Sequence, residues 1–312
     1  MKRVFIILSI FIVCLVGIVI LLSSYFFKVA EVSTDYTKVV ENNSKPPIRT
    51  TNFKRNSEFL NSKGEDWYVN TDDNLRLYGR FIPSKIKNKK TVILIHGYGS
   101  NHNSMSDYAM MFYKMGYNIL SPDNRSFGKS EGKYIGYGFL DATDYLLWIQ
   151  KLILNLGEDS EILVMGESMG AATTMMLSGM NPPPQVKCYI EDSGYASVKK
   201  ELKYQAAKVF KIPMEISAHI IDIVSLYSKI LANYSYSQAD ASKLLEDNTR
   251  PMLFIHGTGD KTVPIESLDI VYNSTRGYKK KYIVPDAQHV QSYAKDPQRY
   301  ENEVKHFLQQ CF

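Results

Sequence analysis

Apolar and polar residues follow each other along most of this chain in blocks of two lengths. Short apolar runs rich in β-branched residues lie at 91–97, 117–123, 161–166, 186–192, 251–257 and 280–286. Longer stretches with apolar residues at helical spacing separate most of them, at 104–115, 138–155, 169–179, 264–275 and 296–310. This alternation predicts an α/β fold with a mostly parallel sheet covered by helices on both faces.

Two stretches depart from the alternation. Residues 67–83 alternate around Asp72, Asp73 and Asn74, which predicts a β-hairpin ahead of the parallel strands. Residues 195–250 show no strand pattern, are too long for a connecting loop, and repeat apolar residues at helical spacing. We expect them to form a helical cap inserted over the carboxyl ends of the strands.

The N-terminus carries the longest uncharged stretch of the chain. Residues 4–27 contain no charged side chain, with Lys2 and Arg3 before them and Lys28 after them. That length spans a bilayer core with some tilt. A cleaved signal peptide is the main alternative, but the run exceeds a usual signal core and a cut after Ala30 would place Lys28 where a small residue is required. We predict an uncleaved transmembrane anchor at 4–27.

The flanking charges predict the topology of the chain. Because positive residues favour the cytoplasmic side, residues 1–3 are expected in the cytoplasm and the main domain outside the cell membrane, with a single span. The polar, uneven residues 28–63 predict a juxtamembrane linker, and residues 64–312 are expected to form the α/β domain. With 312 residues, 45% of them hydrophobic, the chain can bury one large core.

Composition excludes several classes of protein. The net charge of +5 is spread along the chain without an arginine-rich block, so we expect no nucleic-acid partner. No cysteine or histidine spacing typical of a metal site is present, so neither a metal nor another cofactor is expected. The three cysteines, Cys14, Cys188 and Cys311, form no disulfide pattern, and we expect buried or unreactive thiols.

The segment EILVMGESMGAATTMM (161–176) carries the strongest local signal for chemistry. Gly166 and Gly170 stand two positions on either side of Ser168. This spacing predicts a sharp strand-to-helix turn with the serine at its apex, where any side chain at the glycine positions would collide. Small residues at 171–174 would let the helix pack closely behind the turn. A purely structural turn is the alternative.

A serine hydroxyl needs a base to become a nucleophile, and the base needs an orienting carboxylate. Among the six histidines, His289 alone follows the last predicted strand in a short loop, VPDAQHVQSY, where α/β sheets gather reacting groups. We predict His289 as the base. The other five fit packing, loop or surface roles: His96, His102, His219, His256 and His306.

The acid is expected at the same edge of the sheet. Asp260 follows the preceding strand in FIHGTGDKTVP, and the order Ser168, Asp260, His289 is the one expected for this type of sheet. A turn-forming role for Asp260 beside Gly259 is the alternative. Three other carboxylates compete for the acid role: Asp123, Asp192 and Asp286.

The negative charge that develops on a substrate oxygen needs backbone N–H donors already in place. Met169 would supply one donor as the first residue of the helix that follows Ser168, where the helix dipole also helps. The second donor is expected from the segment HGYGSNH, at Tyr98.

Five segments together resemble the α/β-hydrolase superfamily: HGYGSN, DNRSFGKSEG, GESMG, HGTGDKTVP and AQHVQSYAKDPQRY. Within it, the chain is similar to serine hydrolases of Gram-positive bacteria, many with an N-terminal membrane segment, that are related to acyl esterases and lysophospholipases. The similarity covers about residues 64–312. It implies Ser168 as nucleophile, Asp260 as acid, His289 as base, and Tyr98 and Met169 as oxyanion-hole donors. Ser126 departs from the family pattern, which usually has glycine after Asp-x-Arg.

The sequence therefore predicts a membrane-anchored serine hydrolase that cleaves carboxylic esters of small-molecule or lipid-like substrates through an acyl-enzyme. A peptidase or thioesterase of the same fold is the alternative, and a non-catalytic binding protein would normally have lost one of the three reacting residues. We also expect part of the apolar surface of the cap to roof the site and hold an acyl chain, unless all of it packs on the sheet. That surface comprises Val209, Phe210, Ile212, Met214, Ile216, Ile220, Ile221, Val224, Leu226 and Tyr227.

Overall fold

The computed structural model of the chain describes residues 2–32 and 48–312. One eight-stranded sheet runs through it, and the strands are β1 (Glu65–Asn70), β2 (Arg76–Ile82), β3 (Lys90–Ile95), β4 (Asn118–Pro122), β5 (Glu161–Glu167), β6 (Val186–Asp192), β7 (Met252–Gly257) and β8 (Lys279–Val284). Their order in the sheet is β1-β2-β4-β3-β5-β6-β7-β8. β1 and β2 form an antiparallel hairpin, β2 is antiparallel to β4, and the remaining neighbours are parallel. The predicted fold class is confirmed.

Helices cover both faces of the sheet. In the described ranges they are α1 (Lys2–Glu31), α2 (Phe53–Lys63), α3 (Ser106–Lys114), α4 (Phe139–Leu156), α5 (Met169–Ser178), α6 (Val198–Phe210), α7 (Met214–Leu231), α8 (Ala241–Leu244), α9 (Glu266–Ser274), α10 (Ser292–Lys295) and α11 (Pro297–Leu308). Side chains of β3 point alternately to the two faces, so Ile93 and Ile95 join one buried cluster while Val92 and Leu94 join the other. The sheet is therefore buried on both sides, which explains why its strands are continuous apolar runs.

Two helices and a short third one occupy the interval between β6 and β7. α6 and α7 pack against each other, and α7 buries one face through Ser217, Ile221, Val224 and Ser228, at spacings of three or four residues. That spacing is the helical period that predicted helices in this interval. The same two helices stand over the end of the sheet at which Ser168 lies, because side chains of both helices line the cavity above that residue.

The predicted linker at 28–63 differs from the structure at both of its ends. α1 continues to Glu31, and Ser23, Phe27 and Glu31 are buried along one face of it. The Tyr234 hydroxyl donates to the Glu31 carboxylate over 3.0 Å. Residues 33–47, the central part of the predicted linker, lie outside the described residues, as does Met1. The end of the apolar helix is thus part of the folded domain.

Residues 48–63 are docked on the domain as well. In α2, Leu60 is fully buried and the Asn56 amide donates to Asp107 over 2.8 Å. Ahead of it, the Arg49 guanidinium forms two hydrogen bonds with Glu167, at 3.1 and 3.2 Å. These contacts join residues more than 50 positions apart, so the local pattern of α2, which has few apolar residues, did not reveal them.

The expectation of free thiols is wrong for two of the three cysteines. Cys188 in β6 and Cys311 after α11 form a disulfide across 123 positions of the chain. Cys14 is a free, exposed cysteine in α1. The spacing of the cysteines carried no signal for this bond because the pair is brought together only by the sheet and the last helix.

α1 is long and apolar enough to cross a membrane by length and composition. The stretch from Val4 to Leu22 exposes most of its large apolar side chains, in contrast to the buried face near Phe27. The N-terminal helix therefore has a projecting part and a docked part.

Candidate active site

Ser168 lies at the apex of a tight turn between β5 and α5. Its backbone has φ 56° and ψ −116°, a conformation that costs a residue with a side chain about 1–3 kcal/mol. A Cβ atom on Gly166 would lie 2.0 Å from the Gly170 carbonyl oxygen, and one on Gly170 would lie 2.1 Å from the Ile95 carbonyl oxygen. The predicted strand–turn–helix is present, and both glycines are required by close backbone contacts.

The structure brings Ser168, His289 and Asp260 into one chain of hydrogen bonds. His289 Nε2 lies 2.8 Å from Ser168 Oγ, and His289 Nδ1 lies 2.7 Å from Asp260 Oδ2. The Asp260 side chain is fully buried, whereas the His289 side chain keeps 19% of its surface exposed. These positions follow three different strands, and only the parallel sheet places them side by side.

Asp260 is held by four groups. Its Oδ1 accepts the backbone N–H of Thr262 and of Val263, at 2.8 and 3.0 Å. Its Oδ2 faces His289 and also His256, whose Nε2 is 3.4 Å away. Burial acts to raise the pKa of Asp260, but the hydrogen bonds from His256 and His289 outweigh it and hold this pKa well below its usual range. The carboxylate is therefore ionised and fixed in orientation at any ordinary pH.

His256 was expected from the sequence to have only a packing role. It is fully buried, and its Nε2 also lies 3.0 Å from the Val263 carbonyl oxygen. Although burial acts to lower the pKa of His256, the neighbouring Asp260 raises it above its usual value. The motif HGTGD places this histidine at the end of the strand, four positions before the acid, and that spacing was the available signal for the contact.

The rival carboxylates have other partners. Asp123 accepts from the backbone N–H and the ring of His102, both at 2.7 Å. Asp192 accepts the Tyr300 hydroxyl at 2.9 Å, and Asp286 is exposed. Both are buried: Asp123 joins the segments that follow β3 and β4, and Asp192 joins the end of β6 to α3 and α11.

The remaining histidines occupy positions away from the reacting groups. The His96 ring is hydrogen-bonded to the Gly97 carbonyl oxygen at 2.7 Å and to the backbone N–H of Asn124 at 2.9 Å, so it fixes the loop that follows β3. His219 and His306 are exposed. His289 is the histidine that the structure places against Ser168.

The two predicted oxyanion-hole residues flank Ser168. Met169 is the first residue of α5, so its backbone N–H is at the positive end of the helix. On the other side, Gly97 packs so closely that a Cβ there would lie 3.3 Å from the Ser168 Cβ, and Tyr98 follows it directly. The Tyr98 side chain has a structural contact of its own, since its hydroxyl donates to the Ala30 carbonyl oxygen at 2.9 Å.

A cavity of about 320 Å³ opens above Ser168. Four of the ten cap residues singled out from the sequence line it: Val209, Phe210, Ile221 and Val224. Three others are exposed instead, namely Met214, Ile216 and Leu226. The cap therefore contributes an apolar roof, and part of its remaining apolar surface faces outward.

The N-terminal helix also forms part of the cavity wall, which the sequence did not reveal. Phe26, Val29 and Ala30 line the cavity together with the cap. The Phe26 ring meets the Phe210 ring edge to face, with 4.9 Å between the ring centres. Both Tyr98 and Tyr137 donate their hydroxyls to the Ala30 carbonyl oxygen, at 2.9 and 2.6 Å. The docked end of α1 is thereby fixed above Ser168.

One acidic side chain lines this mostly apolar cavity. Glu201 of α6 accepts a hydrogen bond from the Gln205 amide at 2.7 Å. Burial raises the pKa of Glu201 to about 7, against the opposing effect of that hydrogen bond. The Glu201 carboxyl is therefore half protonated near neutral pH.

The backbone conformation of Ser126 explains why the family pattern usually has glycine at this position. Its φ of 66° lies in the left-handed region, which glycine adopts without strain. The Ser126 hydroxyl donates to the Tyr134 carbonyl oxygen at 2.7 Å. Ser126 thus lies in the loop after β4 and has a structural role there.

The fold is that of an α/β hydrolase. The sequence model of the family described as serine aminopeptidase, S33, matches residues 86–308, and the chain belongs to that family. The resemblance seen in the sequence motifs is thereby confirmed at the level of the superfamily.

Similar proteins come from bacteria and archaea. An uncharacterized Bacillus subtilis protein, YqkD, is 29% identical over 218 residues, which cover 70% of each chain. An uncharacterized Escherichia coli K12 protein, YfhR, is 25% identical over 71% of this chain and 72% of its own. Among solved structures, the Pyrococcus furiosus esterase Pf2001 has a TM-score of 0.65 at 24% identity, covering 86% of this chain and 99% of its own. An Exiguobacterium antarcticum esterase has a TM-score of 0.57 at 16% identity, covering 78% of this chain and all of its own.

Proposed function

We propose that this chain is a membrane-anchored serine esterase that cleaves carboxylic esters with an apolar acyl group. The observation that carries the proposal is the hydrogen-bonded series Ser168–His289–Asp260, whose serine lies in the wall of a mostly apolar cavity. A hydroxyl within 2.8 Å of an imidazole that is itself oriented by a buried carboxylate is the arrangement that activates serine as a nucleophile.

Each residue has a defined role in the proposed reaction. Ser168 attacks the ester carbonyl carbon while His289 Nε2 takes the hydroxyl proton, and Asp260 stabilises the imidazolium that forms. The backbone N–H groups of Met169 and Tyr98 stabilise the oxyanion. His289 then gives its proton to the departing alcohol, and a water molecule repeats the sequence on the acyl-enzyme.

The lining of the cavity supports an apolar acyl group as the part of the substrate that is recognised. Aliphatic and aromatic side chains from the cap and from α1 surround the space above Ser168. Pockets with this lining derive most of their affinity from burial of apolar surface. Two of the proteins with similar solved structures are esterases, which points in the same direction.

An aminopeptidase is the second candidate, favoured by the family description and by Glu201 in the cavity. An aminopeptidase needs a negative charge to bind the free ammonium group of its substrate. With a pKa of about 7 the Glu201 carboxyl is only partly charged at neutral pH, and the same lining holds Lys208 and mostly apolar side chains, which disfavour an ammonium group. We therefore place the ester reaction first, and a thioester would be attacked by the same groups.

The anchoring proposal rests on α1 and on the disulfide. Of the predicted span 4–27, we assign the exposed stretch, residues 4–22, to the bilayer as a single span, with residues 1–3 in the cytoplasm and the catalytic domain outside. A bond between Cys188 and Cys311 is expected to form and persist in an oxidising compartment, which supports the extracytoplasmic side.

Labelling of the serine tests the proposed function. Ser168→Ala should abolish reaction with a fluorophosphonate probe and lower ester turnover by about 10⁴-fold or more, with the fold intact by circular dichroism. Ser62→Ala, at an exposed serine of α2, is the matched control and should label like the unaltered chain. Wild-type turnover of aminoacyl p-nitroanilides but not of p-nitrophenyl esters would reverse the order of the two candidates, and probe reaction with Ser168→Ala would exclude Ser168 as the nucleophile.

A further inference from the structure

Three aliphatic side chains at the end of the cap stay largely uncovered by the rest of the described chain. Leu226, Ile230 and Leu231 of α7 are 57%, 72% and 47% exposed. They lie within about one and a half helical turns of each other at the C-terminal end of the helix. We call these three residues the α7 patch.

The α7 patch lies beside the N-terminal helix. Tyr227, next to Leu226 and one turn before Leu231, donates its hydroxyl to the Ile20 carbonyl oxygen at 3.4 Å. The Tyr227 ring also packs on Phe27, with 5.9 Å between the ring centres. Because Ile20 is itself half exposed, the apolar surface of α1 continues onto α7.

The length of the exposed part of α1 determines how close the domain lies to the bilayer. From Val4 to Leu22 the large apolar side chains of the helix are mostly exposed, and from Ser23 onward one face is buried in the domain. At 1.5 Å per residue the exposed stretch is ~28 Å long, close to the ~30 Å thickness of a hydrocarbon core. The helix thus enters the domain where the hydrocarbon core ends, which leaves no spacer between the domain and the bilayer.

The cavity opens at the same junction. Phe26, Val29 and Ala30 form part of its wall. Its exposed lining residues are Thr262 after β7 and, on α6, Lys208 and Val209. Their neighbour Phe210 packs directly on Phe26. The exposed lining on α6 therefore borders the docked part of α1, so one side of the cavity mouth lies at this junction.

We propose that the α7 patch inserts into the bilayer leaflet next to the domain, and that the cavity draws its substrate, a lipid ester, from that leaflet. The acyl chain passes along α1 into the space above Ser168 without crossing water. The membrane is the occupant that the geometry favours, because the patch is continuous with the helix assigned to the bilayer. The substrate part rests on the proposed esterase function, whereas the docking of the patch does not.

A fluorescent reporter measures the docking without any catalysis. In full-length chain carrying Cys14→Ser, which removes the free cysteine, an environment-sensitive dye is attached to Ile230→Cys or to Leu154→Cys. Leu154 of α4 is the matched control, an aliphatic residue that is 85% exposed on another helix. In vesicles of phosphatidylglycerol and phosphatidylcholine, spin-labelled lipids should quench the dye at position 230 at least threefold more than the dye at position 154. Equal quenching at the two positions would overturn the proposal.

A charge in the patch then tests the route of the substrate. Ile230→Asp should leave hydrolysis of water-soluble p-nitrophenyl butyrate within twofold of the unaltered chain, and reduce hydrolysis of vesicle-embedded p-nitrophenyl laurate by about tenfold. Leu154→Asp should change neither rate. Equal loss on both esters, or no loss on the embedded ester, would overturn delivery from the leaflet.

The two readouts separate this proposal from the proposed function. Quenching at position 230 in a protein that hydrolyses neither ester would contradict the esterase and leave the docking surface standing. Hydrolysis of both esters without quenching at 230 would contradict the docking surface and leave the esterase standing. A dye at 230 that is shielded from water but not quenched by lipid, with cross-linking between two chains, would assign the patch to a second copy and overturn membrane docking.

Discussion

At the scale of the residue, Asp260 is a carboxylate surrounded by donors. Two histidine rings and two backbone N–H groups face its oxygens, and they explain both its low pKa and its fixed orientation. A neutral amide at this position would keep the shape of the side chain but lose the charge that stabilises the imidazolium of His289.

Asp260→Asn should therefore lower kcat for p-nitrophenyl butyrate by ~10³- to 10⁴-fold with little change in KM. Steady-state kinetics and a fold check by circular dichroism measure the effect. Asp286→Asn is the control, since Asp286 is an exposed carboxylate three positions before His289. The acid assignment would be wrong if Asp260→Asn kept more than a tenth of the activity.

Glu201 predicts a pH dependence of substrate binding. Since burial raises the pKa of Glu201 to about 7, the carboxyl is mostly neutral below pH 7 and mostly ionised above it. A charge in an apolar cavity disfavours an acyl chain, so KM for p-nitrophenyl octanoate should rise about threefold or more between pH 6 and pH 8. Glu201→Gln should remove this rise.

The same variant separates the two candidate functions. In an esterase, Glu201→Gln should lower KM for the octanoyl ester at pH 8 and leave it nearly unchanged at pH 6. In an aminopeptidase, it should instead raise KM for aminoacyl p-nitroanilides at pH 8, where the ionised carboxyl would bind the ammonium group. An identical pH profile in the variant and the unaltered chain would show that Glu201 has no part in binding.

At the scale of the element, the docked end of α1 and the end of α6 form one wall of the cavity. Phe26 and Phe210 meet there, and each belongs to the lining. Because each buried methylene contributes about 0.8 kcal/mol, kcat/KM for p-nitrophenyl esters should rise severalfold per added carbon until the cavity is full, then fall.

Phe26→Ala and Phe210→Ala should each move that cutoff to chains longer by about two carbons and leave p-nitrophenyl acetate within twofold. Ile216→Ala is the control from the same cap, since Ile216 is half exposed and does not line the cavity. A profile that is flat with chain length, or a cutoff that neither phenylalanine moves, would reduce the cap and α1 to a structural role.

At the scale of the whole molecule, the proposed topology places the domain on the outer side of the cell membrane. Lys2 and Arg3 precede the span, and the disulfide between Cys188 and Cys311 fits an oxidising compartment. An epitope added after Phe312 should be accessible to antibody on intact spheroplasts, whereas one added before Met1 should need permeabilisation. The reverse pattern would invert the orientation, and loss of the N-terminal epitope from the mature protein would indicate cleavage.

The local patterns of the sequence were enough to predict the sheet, the covering helices and the turn at Ser168. Period-two and period-3.6 apolar patterns record which faces a strand or helix buries, and two glycines beside a serine record a close backbone approach. The order of the motifs also singled out His289 and Asp260, because strands of a parallel sheet end at one edge. The distances of 2.8 Å between His289 and Ser168 and 2.7 Å between His289 and Asp260 depend on the tertiary structure.

Only the tertiary structure determined the burial and contacts of residues 20–31, of residues 48–63 and of the cysteines. An apolar helix has the same sequence pattern whether its last turns meet lipid or protein, so the burial of Phe27 and Glu31 and the place of Phe26 in the cavity had no local signal. Contacts such as Arg49 with Glu167 and Cys188 with Cys311 join positions more than 100 residues apart. Sequence patterns record the period of a local element, whereas these contacts depend on how separate elements pack together.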